Sequence, residues 1–408
     1  MAERNNVVVT GVGAITPLGA DAAATWTGLL AGKSGVTLID EDWGAELSVH
    51  VCARLPVDPA SLLDRVQARK LDRCGQLAVA TSREAWRDAG EPQVEPERLA
   101  VVIGTGTGGV LTTLTQDDIY ETSGPRRISP FTVPMLMPNG PAAAVSMELG
   151  ARGGARTPVS ACASGAEAIA MGLELIRAGQ ADVVVAGGAE ACLHRFTVAA
   201  FAQMKALSTR SGDPEVVSRP FDVDRSGFVM GEGAGIVVLE REEFARARGA
   251  RVYGVLAGAA VTSSADHITA SSPEGQVLAM RAAIRSADLL PQDIGHVHAH
   301  ATSTPSGDLA EAQAISEAIP THPVVTATKS MTGHMLGASG AVGAISVLLA
   351  LGEGVVPATR NLDRLDPEID LDVVQGAPRK GNWTTGLANS FGFGGHNVSL
   401  VFTKPEAQ

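Results

Sequence analysis

One of the four cysteines stands where a thiol could do chemistry. It lies in Val159-Ser160-Ala161-Cys162-Ala163-Ser164-Gly165. Thr157 to Ser160 leans towards β-structure, and the small-residue segment from about Ala163 to Ala178, ended by Gly179, reads as a helix. Cys162 therefore falls in the first turn of that helix, facing unpaired N–H groups and the positive end of the helix dipole. Both favour the thiolate, so the thiol pKa is expected to fall and the sulfur to accept acyl groups at neutral pH. A lone cysteine is otherwise a small buried hydrophobe. The rest of the chain decides between the two.

Two histidine motifs bear on that decision. His296, His298 and His300 alternate along Ile294-Gly-His-Val-His-Ala-His, a strand whose period of two puts all three on one face. Three such histidines could hold zinc, but no cysteine or carboxylate at ligand spacing accompanies them. The strand opens into Ala301-Thr302-Ser303-Thr304-Pro305, and strand ends of α/β folds carry catalytic groups, which selects His300. The second motif is Lys329-Ser330-Met331-Thr332-Gly333-His334. A helix starting near His334 would depress that imidazole's pKa and keep it neutral, able to donate one N–H to an oxygen. Gly337, Gly340 and Gly343 would let other backbones approach that helix closely. Lys329 needs a partner charge if it is buried, and Glu311 is the natural one.

Two glycine-rich stretches need separate readings. Asn389-Ser390-Phe391-Gly392-Phe393-Gly394-Gly395-His396-Asn397 sets bulky apolar side chains on a pliant backbone, the composition of a gate or of a loop donating N–H groups to an oxyanion. Gly104-Thr-Gly-Thr-Gly-Gly109 fits G-x-G-x-x-G after a strand, but no second strand ends in an acidic residue at the distance a dinucleotide site needs. Tight turning and close backbone approach beside a pocket is the reading taken.

The elements that must position these residues follow from composition and pattern. The 408 residues are 45% hydrophobic and 19% charged, which suits two domains, or one large domain of two halves, around a sizeable core. Apolar runs at Val7 to Thr10, Ala100 to Ile103 and Val183 to Ala186, then Val252 to Ala257, Ile294 to His300 and Val324 to Ala327, alternate with helical segments. Such uninterrupted strands belong to sheets covered on both faces, hence a layered α/β fold. The charged stretch Arg241 to Gly249 marks a seam, giving halves of 1–250 and 251–408. A net charge of -12 argues against nucleic-acid binding. The cysteines lack CxxC spacing, as in a reduced cytoplasmic enzyme. No signal-peptide pattern opens the chain, and the long uncharged run after Lys329 reads as a buried helix rather than a membrane span.

Taken together the motifs resemble the β-ketoacyl-acyl carrier protein synthases, the elongating condensing enzymes of type II fatty acid synthesis. The likeness covers essentially the whole chain, from Val8-Val9-Thr10-Gly11 and Ile15-Thr16-Pro17-Leu18-Gly19, through Arg219-Pro220-Phe221-Asp222 and Gly227-Phe228-Val229, to Ser390-Phe391-Gly392-Phe393-Gly394-Gly395. Pro134-Met-Leu-Met-Pro-Asn-Gly140 and Gly394-Gly-His-Asn397 look closest to actinobacterial members, including mycolate-building ones. The resemblance implies a thiolase-like fold, two similar halves in five layers α-β-α-β-α, and a cytoplasmic homodimer without metal or cofactor.

The resemblance also implies roles. Cys162 would take an acyl chain from acyl carrier protein, and malonyl carrier protein would then lose CO2 and attack that thioester. His300 and His334 would hold the enolate oxygen, and the N–H groups of Cys162 and Phe393 the tetrahedral oxyanion. Lys329 and Glu311 would form a buried supporting pair. Thr302 and Thr304 would hold the pantetheine arm, while Phe228, Phe391 and Phe393 would gate the pocket and Thr107 would lie at the floor of the acyl tunnel. Arg69, Lys70, Arg126, Arg127 and Lys205 would dock the acidic carrier. Ala301 replaces the glycine usual after the catalytic histidine, and is strained only if that position needs positive φ. Chain-length factors and loading decarboxylases lack the cysteine, and a thiolase would carry a second one. A ketosynthase of a type II polyketide pathway would share the same residues.

Overall fold

The computed structural model describes residues 5–405, and its main sheet is built twice from one plan. In the first half β1 (Val7–Ile15), β2 (Leu99–Gly104), β3 (Ala155–Arg156), β4 (Val183–Glu190) and β5 (Gly233–Arg241) lie in the order β3-β2-β4-β5-β1. In the second, β6 (Gly254–Ser263), β7 (His296–His298), β8 (Val324–Thr326), β9 (Asp372–Val373), β10 (Thr385–Gly392) and β11 (His396–Thr403) lie as β9-β8-β7-β10-β11-β6. The sense of pairing repeats too. β3, β2 and β4 run parallel and meet β5 and β1 antiparallel, just as β8, β7 and β10 run parallel and meet β11 and β6 antiparallel. The halves join edge to edge where Val8 and Val9 of β1 face Val255 and Gly254 of β6.

Alternation along the strands divides the core into layers. Val183, Val185, Ile236 and Val238 face α1 (Arg73–Asp88) and α2 (Gly140–Leu149) on one outer side. Their neighbours Val184, Ala186, Val237 and Leu239 face inwards, onto α3 (Ser164–Arg177) and α6 (Ser339–Glu353). Ala388, Leu400 and Phe402 close on the same two helices from the second half, while Leu387 and Val401 turn to α4 (Pro273–Ser286) and α5 (Pro305–Ala318). The order is helix, sheet, helix, sheet, helix: the five-layered thiolase-like fold. The apolar segment Leu336–Glu353, long enough to cross a membrane, is mostly buried in the middle layer.

Two strands differ from what the residue pattern predicts. Thr157 to Ser160, expected as β-structure, joins no strand; the pairing lies just before it, at Ala155–Arg156, because Pro158 has no N–H to give a ladder and Ser160 N–H donates to Ser164 Oγ at 2.9 Å instead. The three-histidine strand stops at His298: Ala299 N–H still donates to Thr326 O at 2.8 Å, but the N–H groups of His300 and Ala301 beyond it turn to the Glu311 carboxylate. The expected helix after Cys162 begins at Ser164, preceded by the 3₁₀ turn Ala161–Ala163, and ends at Arg177 ahead of Gly179. Arg241 to Gly249 carries the short helix Glu242–Ala247.

Candidate active site

The turn that carries Cys162 is held by contacts from both halves. Ala161 sits at φ +52°, an uncommon conformation for a residue with a Cβ, and its carbonyl accepts from Ser164 Oγ at 2.7 Å. Ser390 Oγ donates to the Cys162 carbonyl at 2.9 Å across the two halves. Gly392 lies so close that a Cβ there would meet Ser160 O at 2.3 Å and Cys162 N at 3.3 Å. The thiol is buried, and burial pushes its pKa up to about 12. Lys329 pulls the value down and Glu190 pushes it further up. The expected depression is thus corrected: loss of water around the sulfur outweighs the nearby ammonium, and Cys162 rests as a thiol.

His300 and His334 meet edge to face across this turn, ring centroids 5.3 Å apart. Both pKa values lie well below the ordinary histidine range, through burial first and the Lys329 charge second. Both rings are therefore neutral at pH 7. Helix α6 starts at Ser339, five residues beyond His334, so the cause of that neutrality is a dry setting rather than a helix N-terminus. His334 Nδ1 pairs with Ser339 Oγ at 3.0 Å, and its Nε2 has no partner among the described residues. With the Ser339 hydroxyl donating, Nε2 carries the proton and is free to donate.

Glu311 takes another place than the one expected. Its oxygens accept from His300 N–H at 2.8 Å, Ala301 N–H at 2.6 Å and Asn389 Nδ2 at 3.1 Å. Among the described residues it makes no direct ion pair with Lys329; the two act on each other across a gap. That charge raises the Lys329 pKa against the larger effect of burial, which brings it down to about 8. Ala301 lacks a positive φ, whereas Ser303 has one of +74°, so the methyl of Ala301 causes no backbone strain.

Cys162, His300, His334, Phe228, Phe391 and Phe393 line one cavity of about 260 Å³. Thr302 and Thr304 lie in its wall with their hydroxyl oxygens 3.1 Å apart, and Lys205 stands at the same cavity, exposed. The Phe228 and His334 centroids are 5.2 Å apart and those of His300 and Phe391 5.9 Å, which packs the aromatic wall against the imidazoles. Arg69, Lys70, Arg126 and Arg127 are exposed, away from the cavity lining, with Lys70 Nζ 5.8 Å above the Phe131 ring. Thr107 is placed outside that lining, its hydroxyl donating to Glu190 at 2.7 Å.

His296 and His298 are core residues. His296 Nδ1 pairs with Val324 O at 2.9 Å, and His298 Nε2 with Thr328 Oγ1 at 2.8 Å beneath Gly343. Among the described residues no cluster of His, Cys, Asp or Glu is arranged for a metal ion. The glycines after β2 serve close approach: a Cβ on Gly104 would meet Ser164 O at 2.2 Å, and one on Gly106 would meet Glu190 at 2.7 Å.

Residue reasoning missed Glu190. This fully buried carboxylate accepts from Gly106 N–H at 2.7 Å, Gly337 N–H at 3.1 Å and the hydroxyls of Thr105 and Thr107. It ties the turn behind Cys162 to the turn that follows His334. The signal was present as one acid closing the otherwise apolar strand Val183–Glu190.

A thiolase-type fold that brings a cysteine and two neutral imidazoles to one cavity defines a condensing enzyme, an acyltransferase that joins thioester carbons. The comparisons agree: the β-ketoacyl synthase N-terminal domain family matches residues 4–245 and the C-terminal domain family residues 253–363, and the chain belongs to the β-ketoacyl synthase family. It is 46% identical over 402 residues to 3-oxoacyl-[acyl-carrier-protein] synthase 2 of Mycobacterium tuberculosis (strain ATCC 25618 / H37Rv), covering 97% of this chain and 96% of the relative. The Staphylococcus aureus (strain COL) protein of the same name is 41% identical over all of both chains. Among solved structures, a β-ketoacyl synthase from Burkholderia phymatum STM815 superposes with a TM-score of 0.92 at 34% identity, over 98% of this chain and 100% of that one. A type II polyketide ketosynthase in complex with its acyl-carrier protein superposes at 0.91 with 28% identity, over 99% and 100%.

Proposed function

We propose that the chain extends a fatty acyl thioester by two carbons, using malonyl carrier protein as donor. The observation that carries this reading is the convergence of a buried thiol and two neutral imidazoles on one cavity. In the first half-reaction Cys162 sulfur attacks the acyl thioester, the pantetheine sulfur leaves, and the thiol proton departs with it. The N–H groups of Cys162 and Phe393 hold the oxyanion of the adduct. In the second, the malonyl C–C bond breaks, CO2 leaves and the electron pair passes to the thioester oxygen as an enolate. His300 and His334 stabilise that oxygen by hydrogen bonds, which neutral rings can donate without giving up a charge. The enolate carbon attacks the Cys162 thioester, the C–S bond breaks, the sulfur leaves with the bonding pair and takes up a proton from water to restore the thiol, and a 3-ketoacyl product two carbons longer remains on the carrier.

Thr302 and Thr304 hold the pantetheine arm in this reading, and Phe228, Phe391 and Phe393 gate it. Arg69, Lys70, Arg126, Arg127 and Lys205 dock the carrier, and Thr107 tunes the acyl tunnel through the turn it shares with Glu190. The working form is a cytoplasmic homodimer with halves 1–250 and 251–408. A type II polyketide ketosynthase is the second reading, favoured by solved neighbours at 28–32% identity. The 41–46% identity to the 3-oxoacyl-[acyl-carrier-protein] synthases favours the first.

Intact mass of the protein after incubation with C8 to C18 acyl carrier proteins tests the proposal. Wild type should gain the acyl mass and lose it to malonyl carrier protein as a 3-ketoacyl product, while Cys162→Ala gains none. Absence of acylation by every chain would overturn it.

A further inference from the structure

Three polar atoms in the cavity wall are buried and lack a hydrogen-bond partner among the described residues: His300 Nδ1, His334 Nε2 and Gln276 Oε1. The chemistry above employs both histidines and leaves the glutamine without a role. Gln276 is 2% exposed. An amide oxygen enclosed in this way loses its water hydrogen bonds and regains none from the described residues.

Its position is fixed by packing. Gln276 lies in the first turn of α4, where Ser272 caps the helix by accepting from Gly275 N–H at 3.3 Å. Gly275 has no room for a side chain: a Cβ there would meet Ser264 Oγ at 2.3 Å and Asn397 Nδ2 at 2.9 Å. The turn is thus pressed against Ser264 and against Asn397 at the start of β11, and the next residue becomes cavity wall. The cavity wall is hydroxyl-rich, lined by Ser264, Thr269, Ser271, Ser272, Thr302 and Thr304. Ser271 Oγ and Thr304 Oγ1 both approach the place a Gly307 Cβ would take, which brings these two hydroxyl-bearing segments together.

We propose that Gln276 is a specificity residue that pairs with a backbone-like amide of the thioester donor's arm. A primary amide can donate and accept at once, so it matches a secondary amide in the way one peptide group matches another. The acyl chain and a simple alkyl thioester offer no such partner; a pantetheine arm does. This inference rests on the condensing-enzyme reading.

The test compares self-acylation of Cys162 by octanoyl-pantetheine with that by the S-butyl thioester of octanoic acid, which carries no amide. Gln276→Met keeps the length and burial of the side chain, and Gln276→Glu keeps an acceptor but loses the donor. Both variants should raise KM for octanoyl-pantetheine about five- to tenfold, the loss expected from one neutral hydrogen bond, and leave the S-butyl thioester unchanged. Equal losses with both donors would show a structural role and overturn the inference, as would no loss with either. Wild type that acylates normally beside such variants keeps the condensing-enzyme reading intact. Wild type inert to both donors removes that reading, and the inference with it.

Discussion

Cys162 and its surroundings set the pH behaviour of the free enzyme. A thiol raised to about 12 by burial exposes more thiolate at each step upwards in pH, with no plateau in the usual working range. Lys329, whose own pKa is brought down to about 8, loses its charge as pH passes that value, and its support for the thiolate disappears. Iodoacetamide alkylation of Cys162, followed by mass, should therefore climb steadily between pH 7 and pH 10, by up to about tenfold per unit and less steeply above pH 8. Lys329→Met should slow it at pH 7. A rate that levels off near pH 7 would mean that the helix end, not burial, governs the sulfur. Cys162, His300 and His334 were legible in the sequence because their types are scarce and their motifs local. Glu190 and Gln276 were not. One acid among 44 acidic residues, and one glutamine in a helix, gain meaning only from the donors or the vacancy around them in space.

Among the elements, long strands such as Val183–Glu190 announce themselves through apolar runs, since both faces are covered by helices. The short strands Ala155–Arg156 and His296–His298 are set by where neighbouring backbones find hydrogen-bond partners, which no local pattern records. The end of β10 shows the same dependence. Gly392 reads as one of several glycines in a pliant loop, yet it is a point, beside Ser390, where the second half touches the Cys162 turn. Gly392→Ala would press a methyl against Ser160 O, a backbone atom that cannot rotate away, and would displace Cys162 with it. Loss of about 2–3 kcal/mol of stability and of most self-acylation is expected, measured by urea titration and intact mass. An alanine variant with unchanged stability and acylation would show the loop to be the gate alone, with no part in shaping the turn.

At the scale of the molecule the repeated topology explains why the site lies where it does. Cys162 follows β3 and leads into α3; His334 follows β8 and leads, after a short turn, into α6. They occupy matching places in the two halves, as do Glu190 at the end of β4 and Gly392 at the end of β10. Because α3 and α6 share one buried layer, these places converge at the centre. That layer leaves neither half a complete core: Val184 and Leu239 from one sheet, and Leu400 and Phe402 from the other, pack into the same cluster. Met331, Val356 and Val374 of the second half likewise pack with Trp26 and Leu29 of the first. The seam near residue 250 is therefore a boundary of topology, while cooperativity should span it. Variants retaining Trp26 or Trp383 as the only tryptophan place one reporter in each half. Their fluorescence should report a single, coincident urea transition at matched stability, and residues 1–250 expressed alone should expose apolar surface and fail to show a cooperative transition. Two separated transitions would mean that each half closes its own core, and that the site between them forms only when two finished domains dock.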